Sequence, residues 1–277
     1  MHNYWKDKKV FNVNTIDRYA SGFPLDENNN KKIKFLNGDW KFKFVENATL
    51  VPTDFFEEYF DYSDFDKIKV PSEWQLQGYD TPMYTNIVYP YAIETANLLA
   101  IPKIHAKKNP VGLYVCEFEL DELKDKYFIN FGGINSNGEI YLNNEFVGYS
   151  EDTFDCQEYD VTPYVKTGKN VLKVMVARYC TGSYLEDQDM WRLSGIFRDV
   201  ILINKPVTEI SDIFATSVFK NGGYDSAELT VRFDVANLVD NCEVLINVFD
   251  GNEVVKTSKI CDVTNKNQVE FDFDKVK

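Results

Sequence analysis

The stretch GEIYLNNEFVGYS, residues 138–150, has the pattern of two short strands joined by a tight turn. Asn143 and Asn144 lie between two strand-like runs, and asparagine tolerates the left-handed backbone angles that a two-residue hairpin turn requires, although Asn-Gly would be a stronger signal. The stretch therefore predicts an antiparallel hairpin. Further strand patterns lie on either side of it, at 112–120, 127–133 and 170–179.

The region around this hairpin predicts an all-β fold. Between residues 39 and 203 we count about eight to ten strand patterns with short turns, a spacing typical of a jelly-roll β-sandwich. The longest helical pattern is the short stretch TDFFEEYF at 53–60. In FLNGDWKFKF, residues 35–44, the apolar side chains recur at every second position, which predicts a strand with one buried face.

The sequence divides into three predicted segments. Residues 1–35 have little periodicity and predict an extended N-terminal arm, and residues 36–206 predict the jelly-roll domain. Strand patterns resume after Pro206, with a hairpin turn predicted at Asp250-Gly251. Because an immunoglobulin-like sandwich needs roughly 100 residues, we expect residues 207–277 to form a truncated one.

Charge and composition argue against several kinds of partner and site. The 277 residues include 30 Lys and Arg against 44 Asp and Glu, a formal net charge of -14. Such a field repels phosphate backbones and anionic lipids, so we expect neither nucleic acid nor a membrane as partner. The N-terminus has no apolar segment of the signal-peptide type, and we expect a cytoplasmic protein. Five widely spaced cysteines predict neither a disulfide scaffold nor a zinc site.

The ionisable residues favour binding over catalysis. His2 and His105 are the only histidines, and their positions suit neither a nucleophilic triad nor a metal site. Glu186, Asp187 and Asp189 form an acidic run, and glycoside hydrolysis does use paired carboxylates. Carboxylates on one loop, however, reach a ligand from one side only. We expect the run to hold a sugar hydroxyl or a hard cation, with a solvated loop as the alternative.

The surroundings of this run strengthen the binding hypothesis. Trp191 and Tyr184 offer flat apolar surfaces, and Arg192 can pair with a carboxylate. A second irregular run, VPSEWQLQGYDTPMYTNIVYPY at 70–91, is either a functional loop or a cap over the end of the sandwich. Within it Asn86 is the best polar candidate, because its amide both donates and accepts.

These two runs carry a family resemblance, together with FLNGDWKFKF and FGGINSNGEIYLNNEFVGYSED at 131–152. They resemble the N-terminal part of the glycoside hydrolase family 2 β-galactosidases, and the likeness covers nearly the whole chain. The most specific element is the acidic run followed by Met-Trp-Arg in GSYLEDQDMWRLSGIFRDV, where related glucuronidases and mannosidases differ.

The resemblance implies a jelly-roll sugar-binding domain, an immunoglobulin-like domain and then a TIM barrel with both catalytic glutamates, which lies outside this chain. It implies that Asn86 lines the galactosyl pocket, and that Asp189 lies near the galactose 6-hydroxyl and binds a sodium ion. It places the main magnesium site in the missing part and implies a homo-oligomer when the protein is complete. No catalytic residue is expected here.

We therefore expect the N-terminal part of a retaining β-galactosidase that acts on lactose-type β-galactosides and is inactive alone. The alternative is a self-standing carbohydrate-binding or assembly module without catalysis.

Overall fold

A computed structural model describes residues 2–19, 22–25, 28, 31–91, 101–186 and 189–275. The described chain forms two compact units, one within Met1–Ile16 and Asn30–Asn204, the other within Asp17–Asn29 and Lys205–Lys277. The prediction of an all-β protein is confirmed. None of the helices among the described residues is long and apolar enough to cross a membrane.

The described residues contain twenty β-strands. In chain order they are β1 (Asn12–Val13), β2 (Ile33–Phe35), β3 (Gly38–Val45), β4 (Asp66–Val70), β5 (Met83–Thr85), β6 (Val111–Leu120), β7 (Lys126–Phe131), β8 (Ile134–Asn135), β9 (Gly138–Leu142), β10 (Glu145–Ser150), β11 (Gln157–Asp160), β12 (Gly168–Ala177), β13 (Met190–Arg192), β14 (Gly195–Ile196), β15 (Val200–Lys205), β16 (Glu209–Phe219), β17 (Ala227–Ala236), β18 (Val244–Asp250), β19 (Glu253–Ile260) and β20 (Lys266–Phe273). Short 3-10 helices span Tyr4–Lys6, Ala48–Leu50, Trp74–Gln77, Ala106–Lys108 and Thr181–Tyr184.

The first unit is a β-sandwich. A seven-stranded sheet has the order β1-β10-β9-β12-β6-β3-β4, and a four-stranded sheet has the order β11-β7-β15-β2. Side chains from both sheets form one hydrophobic core, among them Trp40 and Phe42 of β3 and Ile129 of β7. More strands occur than the sequence predicted, because β5, β8, β13 and β14 are only two or three residues long and show no alternation.

The seven-stranded sheet is buried on its other face as well. There Leu113 of β6 and Met175 of β12 join a second core with Trp5 and Phe55, which lie outside the sheets. A strand covered on both faces reads as a continuous apolar run rather than as an alternation. This explains the apolar sequence of β6.

The predicted hairpin is present between β9 and β10. Asn143 and Asn144 adopt φ angles of 51° and 73°, the left-handed values of a two-residue hairpin turn. The same hairpin leads directly to Glu151, which lies close to the candidate site described below.

The second unit contains a three-stranded sheet, β16-β17-β20, and a two-stranded sheet, β18-β19. Phe233, Val235 and Val244 form its buried core. The hairpin predicted at Asp250-Gly251 lies one residue later, because Asp250 is still paired with Glu253 in the ladder.

Candidate functional site

A two-stranded ribbon joins the two loops that the sequence singled out. β5 pairs antiparallel with β13, with Thr85 opposite Met190 and Tyr84 opposite Trp191. Continued by one residue, this register places Asn86 opposite Asp189. The ribbon therefore brings together the two candidate residues, which are far apart in the sequence.

The two faces of the ribbon differ in exposure. Side chains alternate between the faces of a strand. On the inner face Thr85 is 3% exposed and Arg192 is 7% exposed, whereas on the outer face Tyr84 is 53% and Trp191 is 60% exposed. Asn86 and Asp189 are exposed residues two positions from Tyr84 and Trp191, so they continue the outer face.

Both candidate residues make local hydrogen bonds on this face. The Tyr84 hydroxyl donates to Oδ1 of Asp189, and this bond raises the pKa of the Tyr84 phenol above its ordinary value. Oδ1 of Asn86 accepts the backbone N–H of Ile87 at 2.8 Å. A carboxylate accepts several hydrogen bonds and an amide both donates and accepts, so the pair retains capacity for sugar hydroxyls.

The buried Arg192 ties the ends of the two loops together. Its Nε donates to Oγ1 of Thr85 at 2.8 Å, and its Nη1 donates to the backbone carbonyl of Glu186 at 2.8 Å. Thr85 directly precedes Asn86, and Glu186 lies just before the segment that ends at Asp189. The prediction that Arg192 pairs with a carboxylate of the acidic run stays a prediction, because Asp187 lies outside the described residues.

An ion pair between the exposed residue Asp80 and the buried Arg178 anchors the first loop to the sandwich. Nη1 of Arg178 lies 2.5 Å from Oδ2 of Asp80, and the two side chains are 4% and 16% exposed. A second connection runs from the backbone N–H of Ser194 to Oε1 of Gln75, at 2.8 Å. The loop that leads into β5 is thus attached to the rest of the first unit at two points, Gln75 and Asp80.

The two described carboxylates of the acidic run point in different directions. Glu186 points inward, where it accepts the backbone N–H of Thr153 at 2.8 Å and its hydroxyl at 2.5 Å. Burial raises the pKa of the Glu186 carboxyl. Asp189 lies on the outer face, and Asp187 lies outside the described residues. The part of the run that the structure describes therefore contains one inward and one outward carboxylate.

A second buried carboxylate, Glu151, binds the segment that directly precedes the acidic run. It accepts the Tyr149 hydroxyl at 2.7 Å, the Thr181 hydroxyl at 2.8 Å and the backbone N–H of Gly182 at 2.7 Å. Burial outweighs these bonds and raises the pKa of Glu151 to about 7. Glu151 thereby fixes the start of the 3-10 helix that leads into the acidic run.

One aromatic residue lies differently from the expectation, and several supporting residues were not expected from the sequence. Tyr184 does not offer a free surface: its ring packs edge-on against Tyr89 and Tyr91, and its hydroxyl donates to the carbonyl of Lys103 at 3.2 Å. Tyr84 had one signal in the sequence, because it lies two residues before Asn86 and hence on the same face of a strand. Glu151, Arg178 and Asp80 had none, since their partners are distant in the sequence.

The space behind the ribbon is too small for a sugar among the described residues. The cavity behind the ribbon has a volume of about 20 Å³, enough for a water molecule but not for a hexose. Its lining includes Arg178, Arg192 and Glu186. In the described parts of the chain, no three His, Cys, Asp or Glu residues gather as a metal site. Asp189 could therefore give a cation one carboxylate, and the other ligands would have to come from elsewhere.

Comparisons with known proteins identify the family of the chain. The family model "Glycosyl hydrolases family 2, sugar binding domain" matches residues 33–206. The β-galactosidase of Clostridium acetobutylicum is 38% identical over 271 residues, which cover 93% of this chain and 30% of that protein. The β-galactosidase of Priestia megaterium is 46% identical over 208 residues, covering 74% of this chain and 20% of that protein.

Solved structures share the fold at lower identity. The β-glucuronidase of Bifidobacterium dentium superposes with a TM-score of 0.64 at 17% identity, covering 87% of this chain and 41% of that chain. The β-D-mannosidase of Dictyoglomus thermophilum gives a TM-score of 0.54 at 16% identity, covering 87% of this chain and 31% of that chain.

The β-sandwich and the family match together define the class, which is the sugar-binding domain of a glycoside hydrolase. The chain belongs to glycosyl hydrolase family 2 and corresponds to the N-terminal part of β-galactosidase-like members. It spans less than a third of the length of these two curated relatives.

Proposed function

We propose that this chain is the N-terminal part of a retaining β-galactosidase, and that the outer face of the β5–β13 ribbon forms one wall of its galactosyl pocket. The observation that carries the proposal is the register that sets Asn86 opposite Asp189 on an exposed edge. Identities of 38% and 46% to β-galactosidases support the substrate class, terminal β-D-galactose in lactose-type compounds.

In this role the chain binds and orients the sugar. Asp189 accepts hydrogen bonds from galactose hydroxyls, and Asn86 can donate one and accept another. The paired carboxylates of glycoside hydrolysis must flank the scissile bond, and Asp189 is the carboxylate that the described outer face offers. The acid/base and nucleophile therefore belong to the domains that complete the enzyme, and this chain alone is expected to be inactive.

The ions and the setting of the complete enzyme are part of the same proposal. Asp189 would contribute one carboxylate oxygen to a sodium ion, which adds positive charge near the sugar hydroxyls. Magnesium would be held mainly outside this chain. We further propose a cytoplasmic homo-oligomer that acts on small β-galactosides and not on nucleic acids or membranes, in agreement with the net charge of -14.

One observation favours a second candidate function. The outer face of the ribbon already combines polar and aromatic groups, which is the composition expected of a self-standing carbohydrate-binding module. Such a module would have to bind galactose with a dissociation constant of about 1 mM or tighter, which requires roughly 4 kcal/mol of binding free energy. A single open wall is expected to bind much more weakly, because it lacks an opposing surface.

The proposal is tested by Asp189→Asn in the complete protein, in which this chain is followed by the remaining domains. Losing a charged hydrogen-bond acceptor for a bound hydroxyl costs about 2 to 3 kcal/mol, so kcat/KM for a chromogenic β-galactoside should fall about 100-fold. The matched control is Asp121→Asn, at an exposed turn after β6, which should leave kcat/KM unchanged. Equal activity of Asp189→Asn and the control would refute the pocket-wall role.

A further inference from the structure

The sequence contains three Asn-Gly pairs, at 37–38, 137–138 and 221–222. In such a pair the backbone nitrogen of the glycine can attack the side-chain carbonyl carbon of the asparagine, because glycine has no Cβ to obstruct the approach. The attack needs a free asparagine amide and a backbone that can rotate toward it. Since the two reacting residues are the same in each pair, their surroundings in the fold decide which pair reacts.

The pair at 221–222 lies in a tight turn within the connection between β16 and β17. Asn221 and Gly222 have φ angles of 58° and 69°, the left-handed values of a type I′ turn. The N–H of Gly223 closes the turn by donating to the carbonyl of Lys220 at 3.2 Å. A Cβ placed on Gly222 or Gly223 would meet no atom within 4 Å, so the turn is surrounded by open space.

Both reacting groups of this pair are free. Asn221 is exposed. Within the part of the chain that the structure describes, neither its side-chain amide nor the N–H of Gly222 has a hydrogen-bond partner. The attack requires the backbone of Asn221 to rotate out of the turn, which breaks only the single exposed bond between Gly223 and Lys220. Local opening of such a turn costs little free energy.

The pair at 37–38 is held although Asn37 is also exposed. Nδ2 of Asn37 donates to Oδ1 of Asp199 at 2.8 Å, and its Oδ1 accepts the backbone N–H of Val200 at 3.0 Å. Gly38 begins β3 and lies opposite Val70 in the ladder. Attack at this pair would first have to break both side-chain bonds and the end of a strand pairing.

The pair at 137–138 is held and buried. Asn137 is 1% exposed, and its Nδ2 donates to Oγ of Ser136 and to the carbonyl of Ala177, both at 3.0 Å. Gly138 begins β9 and lies opposite Ser150. Burial and these bonds together protect the pair.

We propose that Asn221 is a site of spontaneous covalent modification, at which the chain converts its own asparagine to aspartate and isoaspartate. The nitrogen of Gly222 forms a bond to Cγ of Asn221, the Cγ–Nδ2 bond breaks, and the side-chain nitrogen leaves as ammonia with the proton from Gly222. Water then opens the succinimide ring. Breaking the new Cγ–N bond gives aspartate, and breaking the original peptide C–N bond gives isoaspartate.

The two products differ in their effect on the turn. Both add a carboxylate beside Lys220, whose ammonium already pairs with Glu228 at 3.2 Å and with Asp272. Aspartate keeps the backbone unchanged and tolerates the left-handed conformation. Isoaspartate lengthens the backbone by one methylene group, so we expect it to weaken the β16–β17 hairpin more than aspartate does.

The test incubates the folded chain at mildly alkaline pH, in parallel with the chain unfolded in guanidinium chloride. Mass spectrometry after proteolysis follows the exchange of amide for carboxyl at all three pairs, and chromatography resolves the isoaspartyl peptide. The rate in the folded chain divided by the rate in denaturant cancels the effect of neighbouring sequence. This ratio should be at least about 10-fold higher for Asn221 than for Asn37 or Asn137, whose side-chain bonds must break before attack.

Two variants identify the attacking nitrogen. Gly222→Ala adds a Cβ next to that nitrogen and should slow the reaction at Asn221 at least about 10-fold, in denaturant as well as in buffer. Gly223→Ala is the matched control, since its Cβ would meet nothing, and it should react at the unsubstituted rate. A ratio for Asn221 no higher than that for Asn37 or Asn137, or an unchanged rate in Gly222→Ala, would overturn the proposal.

Discussion

Replacing Asp80 by Asn is expected to lower the free energy of unfolding of the first unit by about 1 to 3 kcal/mol, because it removes the charged hydrogen-bond partner of the buried Arg178. Arg178 keeps its charge in a position where its side chain is 4% exposed. The substitution isolates the charge, since Asp80 has a φ angle of 60° and asparagine tolerates that conformation as well as aspartate does.

The measurement is urea unfolding followed by tryptophan fluorescence, which reports on the first unit because all four tryptophans lie there. Asp39→Asn is the matched control. Asp39 pairs with Lys69 at the surface, where both side chains are about half or more exposed, so its loss should have little effect. A change in Asp80→Asn no larger than in this control would show that the pair does not anchor the loop.

Replacing Glu151 by Gln is expected to change how stability depends on pH. Burial raises the pKa of Glu151 from 4.5 to about 7, so the unfolded chain loses this proton at lower pH than the folded chain does. As pH rises from the unfolded value through the folded one, the carboxyl therefore costs the native state up to about 3 kcal/mol. A glutamine stays neutral and does not incur this cost.

The difference in free energy of unfolding, Glu151→Gln minus unsubstituted, should therefore rise by about 3 kcal/mol between pH 5 and pH 8. Glu117→Gln provides a control whose difference should stay nearly flat over this range and change only in more acidic solution. Hydrogen bonds from Lys169 and Tyr62 lower the pKa of Glu117, so its carboxylate stabilises the fold above its unfolded pKa and stops doing so in acid. A Glu151→Gln difference that is flat across this range would contradict a buried, proton-sensitive Glu151.

The sandwich was predictable because its signals are local. The two asparagines at 143 and 144 specify their turn through their own backbone preferences, and the alternating Trp40 and Phe42 specify the buried face of β3. Such patterns predict the fold because the burial of each side chain depends on its position along its own strand. The acidic run and Asn86 could be singled out as candidates for a related reason, since unusual side chains at strand ends are visible in a sequence without any partner.

The geometry of the site was not predictable because it depends on distant pairings. β5 and β13 are three residues each, too short for an alternation to show which side chains face outward. The sequence presented Glu186 and Asp189 as members of one acidic run, yet Thr153, from a different part of the chain, draws Glu186 inward. The roles of Arg192 and Glu151 likewise follow from partners that only the folded chain supplies.

The pairing of Asn86 with Asp189 on one exposed face is the claim on which the pocket-wall proposal depends. Opposite residues in an antiparallel pair have Cα atoms about 4.5 to 5.5 Å apart, within the range that a disulfide can bridge. The direct test is a chain carrying Asn86→Cys and Asp189→Cys, with the exposed Cys156 and Cys261 replaced by Ser. A second chain carrying Ile87→Cys and Asp189→Cys is the control, because one residue further along a strand points to the other face.

Under mild oxidation the account predicts a rapid disulfide between positions 86 and 189, seen as protection of both thiols in mass spectrometry, and slow or absent oxidation in the control. Oxidation of the first pair no faster than that of the control would contradict it.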